Sequence, residues 1–511
     1  MRARPWGLFP ERLEDRLVLS TFTVTNTNAS GAGSLPAEVA LANAATDEAI
    51  VQFDSTVFAT HQTITLTGTL TLDHASEPKI PISILGPTAG VTIAGGGSGS
   101  DFSVITVTSD TQQAAIKGDS ASGPITITDG NLTGSTESGA GIDDFGDLVL
   151  DNVAITNNTS AGSGGGVEVS GGPDIFTSNP GAALLAADTT FSGNKAAAAG
   201  GGVDMEGSGA LIVNSTFSGN TAGTNGGAIE NGPMLVPTFV VPLNLGVVND
   251  TISGNTATVF GGGIDNGNGG ILGILNAVVA GNTVAAGGSG ADVDSGGSSG
   301  IYSGSSHDVI GSADGLQGSG ITDGSNSNVV GHPALLAPLG DYGGANASGT
   351  VSTGSGDLQT FALLPGSPAI NDAFVLANLT ADATAAATTI QAGTQLPLPS
   401  LNGSTFPYEQ GTVILIGSEQ ILVTGVSGSA QSGYTLTVTR GVNGTTAAAH
   451  SSGDPIVLPD ERGVFAASNA VGAFQTQGFN VTAKATPQST AVSTAFANAL
   501  GVTVTANDPN A

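Results

Sequence analysis

The stretches Asn152-Val153-Ala154-Ile155-Thr156-Asn157-Asn158, Asp188-Thr189-Thr190-Phe191-Ser192-Gly193-Asn194 and Asn214-Ser215-Thr216-Phe217-Ser218-Gly219-Asn220 are variants of one another. So are Asn249-Asp250-Thr251-Ile252-Ser253-Gly254-Asn255 and Asn276-Ala277-Val278-Val279-Ala280-Gly281-Asn282. Four of the five copies are followed by a glycine-rich turn: Gly164–Val167, Gly200–Val203, Gly226–Ile229 and Gly261–Ile264. The closing asparagines are 36, 26, 35 and 27 residues apart. A β-rich repeat of this length cannot bury its apolar face alone, so successive copies must stack as a solenoid.

The residue types specify which solenoid. Each coil supplies about three short strands, and each strand pairs with its equivalent in the next coil, about 4.8 Å away. Val153, Ile155, Phe191, Phe217, Ile252 and Val278 are expected to point into a narrow shared core. Corners need positive φ, which glycine supplies and asparagine tolerates. Asn158, Asn194, Asn220, Asn255 and Asn282 are expected to stack, each amide bonding the next. The expected fold is all-β: a right-handed single-stranded parallel β-helix followed by small β-modules. Upstream, β-branched runs at Thr21–Thr25, Thr63–Leu72, Ile80–Leu85, Val104–Thr108 and Ile125–Thr128 are expected strands. The segment Leu35–Ala45 is an expected helix, suited to capping one end of the stack.

The 511-residue chain carries 41 acidic residues against 10 Lys and Arg, a formal charge of −31. Without a basic patch it has no means of displacing counterions from nucleic acid, and anionic lipid surfaces are excluded for the same reason. Between Leu17 and Thr439 there is no arginine, and the lysines there are Lys79, Lys117 and Lys195. Cysteine is absent, which removes disulfides and thiolate chemistry. No run of 18 apolar residues exists to form a transmembrane span. Glycine at 79 residues and a mean hydropathy of +0.20 fit a folded chain with apolar surface to bury.

The segment Thr23-Val24-Thr25-Asn26-Thr27-Asn28, followed by Gly31, Gly33, Ser34 and Leu35, resembles the entry of bacterial β-helix surface proteins. Together with the repeats, it makes residues 21–330 similar to the right-handed β-helices of polymorphic outer-membrane-type and autotransporter-like proteins. The start, Leu13-Glu14-Asp15-Arg16-Leu17-Val18-Leu19-Ser20, resembles the Leu-Glu-Pro-Arg-type sorting motif of large exported bacterial proteins, with Asp15 in place of proline. It lacks the apolar core of a secretory signal. Pro333–Gly344 and Phe361–Ile370 resemble a choice-of-anchor module, resumed at Asp460–Gly463 and Val471–Phe474. In between, strands at Thr412–Ile416, Gln420–Val426 and Tyr434–Val438, with Arg440–His450, resemble a small β-module of extracellular and phage-tail proteins. Thr486–Ser489 and Val502–Thr505 resemble the opening of a bacterial Ig-like domain, which makes the chain an expected fragment. The implied organisation is 1–20 sorting segment, 21–115 entry and cap, and 116–332 β-helix repeats. It continues with 333–374 and 459–476 as two parts of the anchor-type module, 375–458 as an insertion, and 477–511 as the Ig-like start.

Catalysis finds little in this pattern. A lyase of the pectate type needs an arginine or lysine base, and no arginine lies in the solenoid. A glycosidase needs two carboxylates at a set separation, one with a raised pKa. Within the repeats, Asp143-Asp144 is the only tight acidic pair, and no galacturonase-type segment accompanies it. His61, His74, His307, His332 and His450 are scattered singly and expected at the surface. No enzyme is expected. Two long steps between repeats place loops after Gly172-Pro173 and Gly232-Pro233. The second loop, Met234–Leu243, is strongly apolar and either folds back on the wall or offers a partner contact.

One constellation remains. After each glycine-rich turn comes a hydrophobic residue and then a carboxylate: Glu168, Asp204, Glu230 and Asp265. Stacked about 4.8 Å apart, neighbouring charges repel by about 0.9 kcal/mol in water and about 3–4 kcal/mol at an effective dielectric of 20. A solvated acidic edge tolerates this, whereas a buried one needs cations or protons. The metal expectation is weak calcium bridging at these four residues, with Ca2+ the one cofactor the sequence admits. Taken together, these features lead us to expect a non-catalytic, exported protein of a bacterial cell surface or matrix. Its expected partner is a surface polysaccharide or another surface protein. The alternative is a polysaccharide-binding or polysaccharide-degrading β-helix.

Overall fold

In the computed structural model, the described residues run from 19 to 484 and from 501 to 506. Left out within that span are 75–80, 110–112, 120–122, 135–136, 171–181, 208, 233, 237–238, 242–243, 268–269, 297–299, 341, 343, 346–350, 353–357, 371–374, 376, 395–407, 409–410, 430–431, 462–464, 466–469 and 474–478. The sorting motif (apart from Leu19 and Ser20), the loop after Gly172, Arg462-Gly463, Phe474 and Thr486–Ser489 lie outside the described residues.

Parallel strand pairs stack from Ser20 to Val330 into a β-helix with three faces. The widest face takes two short arms from each coil, such as Ala183–Ala187 and Thr190–Ser192. A narrow face stacks residue pairs Asn131–Leu132, Thr159–Ser160, Lys195–Ala196, Thr221–Ala222, Thr256–Ala257 and Thr283–Val284. A third face stacks Leu70–Leu72, Ile105–Val107, Ile142–Asp144, Val167–Val169, Val203–Met205, Ile229–Asn231, Ile264–Asn266 and Val293–Asp294. A helix at Leu35–Asn43 follows the first strand. Its N-cap Ser34 accepts from the Ala37 N–H, and Leu35, Val39 and Ala42 are buried. The upstream strands fall close to their expected places, except that Thr63–Leu72 divides into Gln62–Thr65 and Leu70–Leu72.

The two ends of the repeat do different work. Its first residue bends the wide face in the left-handed region: Asn152 (φ 54°), Asp188 (46°), Asn214 (49°), Asn249 (57°) and Asn276 (55°). Next to the closing asparagine a second left-handed residue turns the corner, Asn157 in the first copy and Gly193, Gly219, Gly254 and Gly281 in the others. A Cβ at Gly219 would find its nearest neighbour 3.9 Å away. A Cβ at Gly200, also at positive φ, would lie 2.5 Å from the Asp204 Cβ. Gly219→Ala is therefore expected to lose only the left-handed penalty of about 1–2 kcal/mol, and Gly219→Asn less. Gly200→Ala adds a steric clash and should destabilise by at least about 1 kcal/mol more. Denaturant melts of the three variants check the order; equal losses at Gly200 and Gly219 would contradict it.

Inside the coil, Ile127, Ile155, Phe191, Phe217, Ile252, Val279 and Ile310 lie in one register column, all fully buried. The Phe191 and Phe217 rings stack at 4.4 Å and 9°. Val279, rather than Val278, fills this column. Val278 pairs with Thr251 and faces outward, where Ala470 and Val471 cover it. Two adjacent valines had hidden which one keeps the alternation.

A side-chain ladder runs alongside this core. The Asn158, Asn194, Asn220 and Asn255 side-chain amides donate to the next asparagine Oδ1 at 3.0, 3.0, 2.8 and 2.9 Å, and Asn282 donates to Asp292 Oδ1 at 3.0 Å. Each of the five also donates to a core-strand carbonyl, and each Oδ1 takes a backbone N–H from the preceding coil. At 0–5% exposure, these amides have all their strong partners inside the protein.

The chain then returns along the solenoid. Ala377–Leu379, Thr389–Thr394, Val413–Ile416, Glu419–Ser429, Gly433–Thr439 and Pro455–Ile456 form an antiparallel six-stranded sheet. Its apolar residues share one buried cluster with Ala115, Val149, Leu185, Leu211, Val213, Val248 and Leu275 on the outside of the wide face. This explains why Leu148–Leu150, Leu184–Ala186 and Leu211–Val213 are continuously apolar: they are covered on both sides. A polar seam lies beside that cluster. The Thr190 and Thr216 hydroxyls donate to Glu461, Asn214 donates to the Pro459 carbonyl, and the Ala473 N–H donates to Thr251 Oγ1. The buried Glu461 carboxyl is raised well above the ordinary range by loss of solvent. The module thus packs along the flank of the β-helix. Met234–Val236 and Phe239–Val241 form a hairpin, as do Phe479–Lys484 and Gly501–Ala506.

Candidate functional site

The third face carries a carboxylate at the same register position in six consecutive coils: Asp143, Glu168, Asp204, Glu230, Asp265 and Asp294. Their strand neighbours Val167, Val169, Val203, Met205, Ile229 and Ile264 point into the core, so by alternation the carboxylates point outward. Outward here does not mean wet. Glu168, Asp204, Glu230, Asp265 and Asp294 are 3, 2, 8, 3 and 8% exposed, and Asp143 is half-buried. Of the two environments open to this column, solvated edge or buried row, the structure shows the buried one.

The cover is local. Four residues before each carboxylate stands a glycine at positive φ: Gly139, Gly164, Gly200, Gly226, Gly261 and Gly290. Each brings its turn back over the carboxylate residue, so that an added Cβ would lie 2.3–2.7 Å from that residue's atoms or those just before it. The turns themselves stack by backbone hydrogen bonds, as from the Gly165 N–H to the Gly200 carbonyl at 3.0 Å. Asp143 and Asp294 escape a search for doubled-glycine turns. The signal that finds them is a glycine four residues before an acid in a short β-run.

Burial sets the electrostatics. It is the largest influence on all five shifted groups, with neighbouring carboxylates adding to it at Asp143, Glu168, Asp204, Glu230 and Asp265. Asp143 is pushed up to about 7 by desolvation and by Glu137. Glu168 bonds Asp204, and Glu230 bonds Asp265. In both pairs the glutamic acid is the more strongly raised, proton-holding partner. One oxygen of each glutamate, Oε2, is buried with no hydrogen-bond partner. Glu206, exposed, brings a third carboxylate to Glu168 and Asp204, with ligand oxygens of all three within 4.8 Å of one another. Sequence reasoning missed Glu206 because nothing in the repeat marks it.

Elsewhere, Lys195 is exposed and Lys117 pairs with Asp151 at 3.6 Å. Among the described ion pairs, none joins the carboxylate column to a lysine or arginine. Asp144, partner of Asp143 in sequence, is fully buried on the opposite side of its strand. His74 and His450 are buried, against expectation. His74 Nε2 bonds the Ala45 carbonyl at 3.0 Å, and His450 Nε2 lies 2.8 Å from Glu419. Compared with protein-family models and with curated proteins, the chain matches none. Among the described residues, no helix is long and apolar enough to cross a membrane.

Proposed function

We propose that this is a non-catalytic exported protein of a bacterial surface or matrix, in which a stiff β-helix presents a regular contact face. The observation that carries this reading is the unbroken amide ladder from Asn158 to Asp292, which ties each coil to the next through buried side chains. Stiffness of this kind suits a spacer or adhesive surface. With the wide face covered by the returning module, the narrow face remains. There Lys195, Thr221, Thr256 and Thr283 stand exposed in register, a polar row suited to sugar hydroxyls or to another protein surface.

A second reading, polysaccharide cleavage, draws support from the half-buried Asp143, raised to about 7 beside Glu168. Against it, the rest of the column lies beneath the glycine turns, where no sugar reaches. A glycan array and a polysaccharide-cleavage screen with the full chain separate the two. Retention of a polysaccharide without new reducing or unsaturated ends supports the first reading, and cleavage abolished by Asp143→Asn replaces it with the second.

A further inference from the structure

The buried column has too few partners for its charge, and its deepest oxygens face no donor. Glu168 Oε2 is buried, unpaired, and lies under the Gly164 turn, where an added Cβ would stand 2.7 Å from it. Asp204 is 2% exposed on the next coil, and Glu206 reaches the same point from solvent. Two of the three carboxylates are buried and the third is exposed, so the cluster opens to solvent on the Glu206 side. We propose that Glu168, Asp204 and Glu206 form a divalent-cation site that takes Ca2+ and clamps two successive coils.

The chemistry of the donors selects the ion. All are carboxylate oxygens, with no cysteine anywhere in the chain and no histidine in the cluster, which favours hard cations over zinc or copper. Size then separates calcium from magnesium. Two oxygens on opposite sides of Ca2+ stand about 5 Å apart, and on opposite sides of Mg2+ about 4 Å. The three ligand oxygens lie within 4.8 Å of one another, inside the span of a Ca2+ shell, and Ca2+ accepts an irregular carboxylate set where Mg2+ demands a near-ideal octahedron. Three carboxylates on one divalent ion leave a single net negative charge, where the same three without it must take up protons or repel. This inference does not depend on the proposed function, since a spacer or an enzyme could hold the same ion.

The test uses the full chain at pH 8 after chelator treatment. Equilibrium dialysis with radioactive Ca2+ should show saturable binding in the sub-millimolar to millimolar range typical of extracellular sites. Millimolar Ca2+ should raise the melting temperature by about 1–4 °C, with Mg2+ far less effective. Glu206→Gln, at an exposed position where misfolding is not at issue, should weaken binding at least tenfold, and Glu168→Gln should abolish the calcium-dependent shift. Absence of binding by the unmodified chain would overturn the proposal. So would undiminished binding in Glu206→Gln, or binding lost in Glu230→Gln but kept in Glu168→Gln, which would move the ion to the neighbouring pair.

Discussion

Asn220→Ala should lower the unfolding free energy of the solenoid by about 3–5 kcal/mol, the largest loss expected from any single polar substitution within it. The reasoning counts broken partnerships. Asn220 Oδ1 accepts both the backbone N–H and the side-chain amide of Asn194, while its own amide donates to the Phe191 carbonyl and to Asn255 Oδ1. Alanine supplies none of these, and the site is fully buried, so water does not replace them. Two donors of Asn194 then stay desolvated and unpaired, at about 1–3 kcal/mol each, with two acceptors less severely affected. The methyl group also leaves an empty volume between coils. Thr221→Ala, one residue along at an exposed position, is the control and should change stability by less than about 0.5 kcal/mol. Far-ultraviolet circular dichroism in a denaturant series reads both. A loss under 1 kcal/mol for Asn220→Ala would mean that the ladder is decoration on a stack held by its apolar column alone.

Why so much of the solenoid could be read in advance is visible in that same residue. A repeating coil writes each structural requirement several times, so positions needing a left-handed backbone, an inward apolar side chain or a tight turn recur at matched places. The parallel β-helix follows from this repetition, whereas the helix at Leu35–Asn43 and the strands around Val413 and Tyr434 lie outside the repeats and follow from local residue patterns alone. Burial of the carboxylate column did not follow, because exposure depends on where the glycine turn goes after leaving the strand. Gly164 and Glu168 are four residues apart, and only backbone coordinates show one folding over the other. Val278 was misplaced because its neighbour Val279 is chemically identical. The flank that receives the C-terminal sheet announced itself in Leu184-Leu185-Ala186, but a doubly covered strand does not name its cover. His450 and Glu419 are 31 residues apart in a segment without repeats, so nothing in the sequence brings them together.

That last contact supports the second large expectation: Glu419→Gln should unfold or undock the antiparallel module, with a loss of about 3–5 kcal/mol. Glu419 is 1% exposed and saturated with donors. Oε1 accepts from Arg440 Nε at 2.7 Å and the Gly441 N–H at 3.0 Å, while Oε2 accepts from Arg440 Nη2 at 2.7 Å and the Ala448 N–H at 2.9 Å, with His450 Nε2 at 2.8 Å. Either orientation of a glutamine amide turns an NH2 group toward two or more of these donors, and the nearly buried Arg440 loses the carboxylate charge that Glu419 supplies. Arg440 also donates to the Thr384 and Ala448 carbonyls, so the pair ties three separate segments of the module together. The same geometry fixes the sign of the pH response. Burial alone would raise the Glu419 carboxyl, but the hydrogen bonds from Arg440, Ala448 and His450 outweigh it and hold the group down at about 2. A depressed carboxylate stabilises the fold fully above its ordinary value near 4.5, and that contribution is lost as pH falls toward 2. Glu461 runs the other way: its raised carboxyl favours the docked state below the ordinary range and weakens it as pH climbs. Between pH 5 and 3 the module should therefore lose stability in the unmodified chain. In Glu419→Gln this acid-dependent part should be missing, so the two melting curves should converge as pH falls. Calorimetry across that range checks the pattern, and curves that stay parallel down to pH 3 would show that the carboxylate is not what holds the module's segments in place.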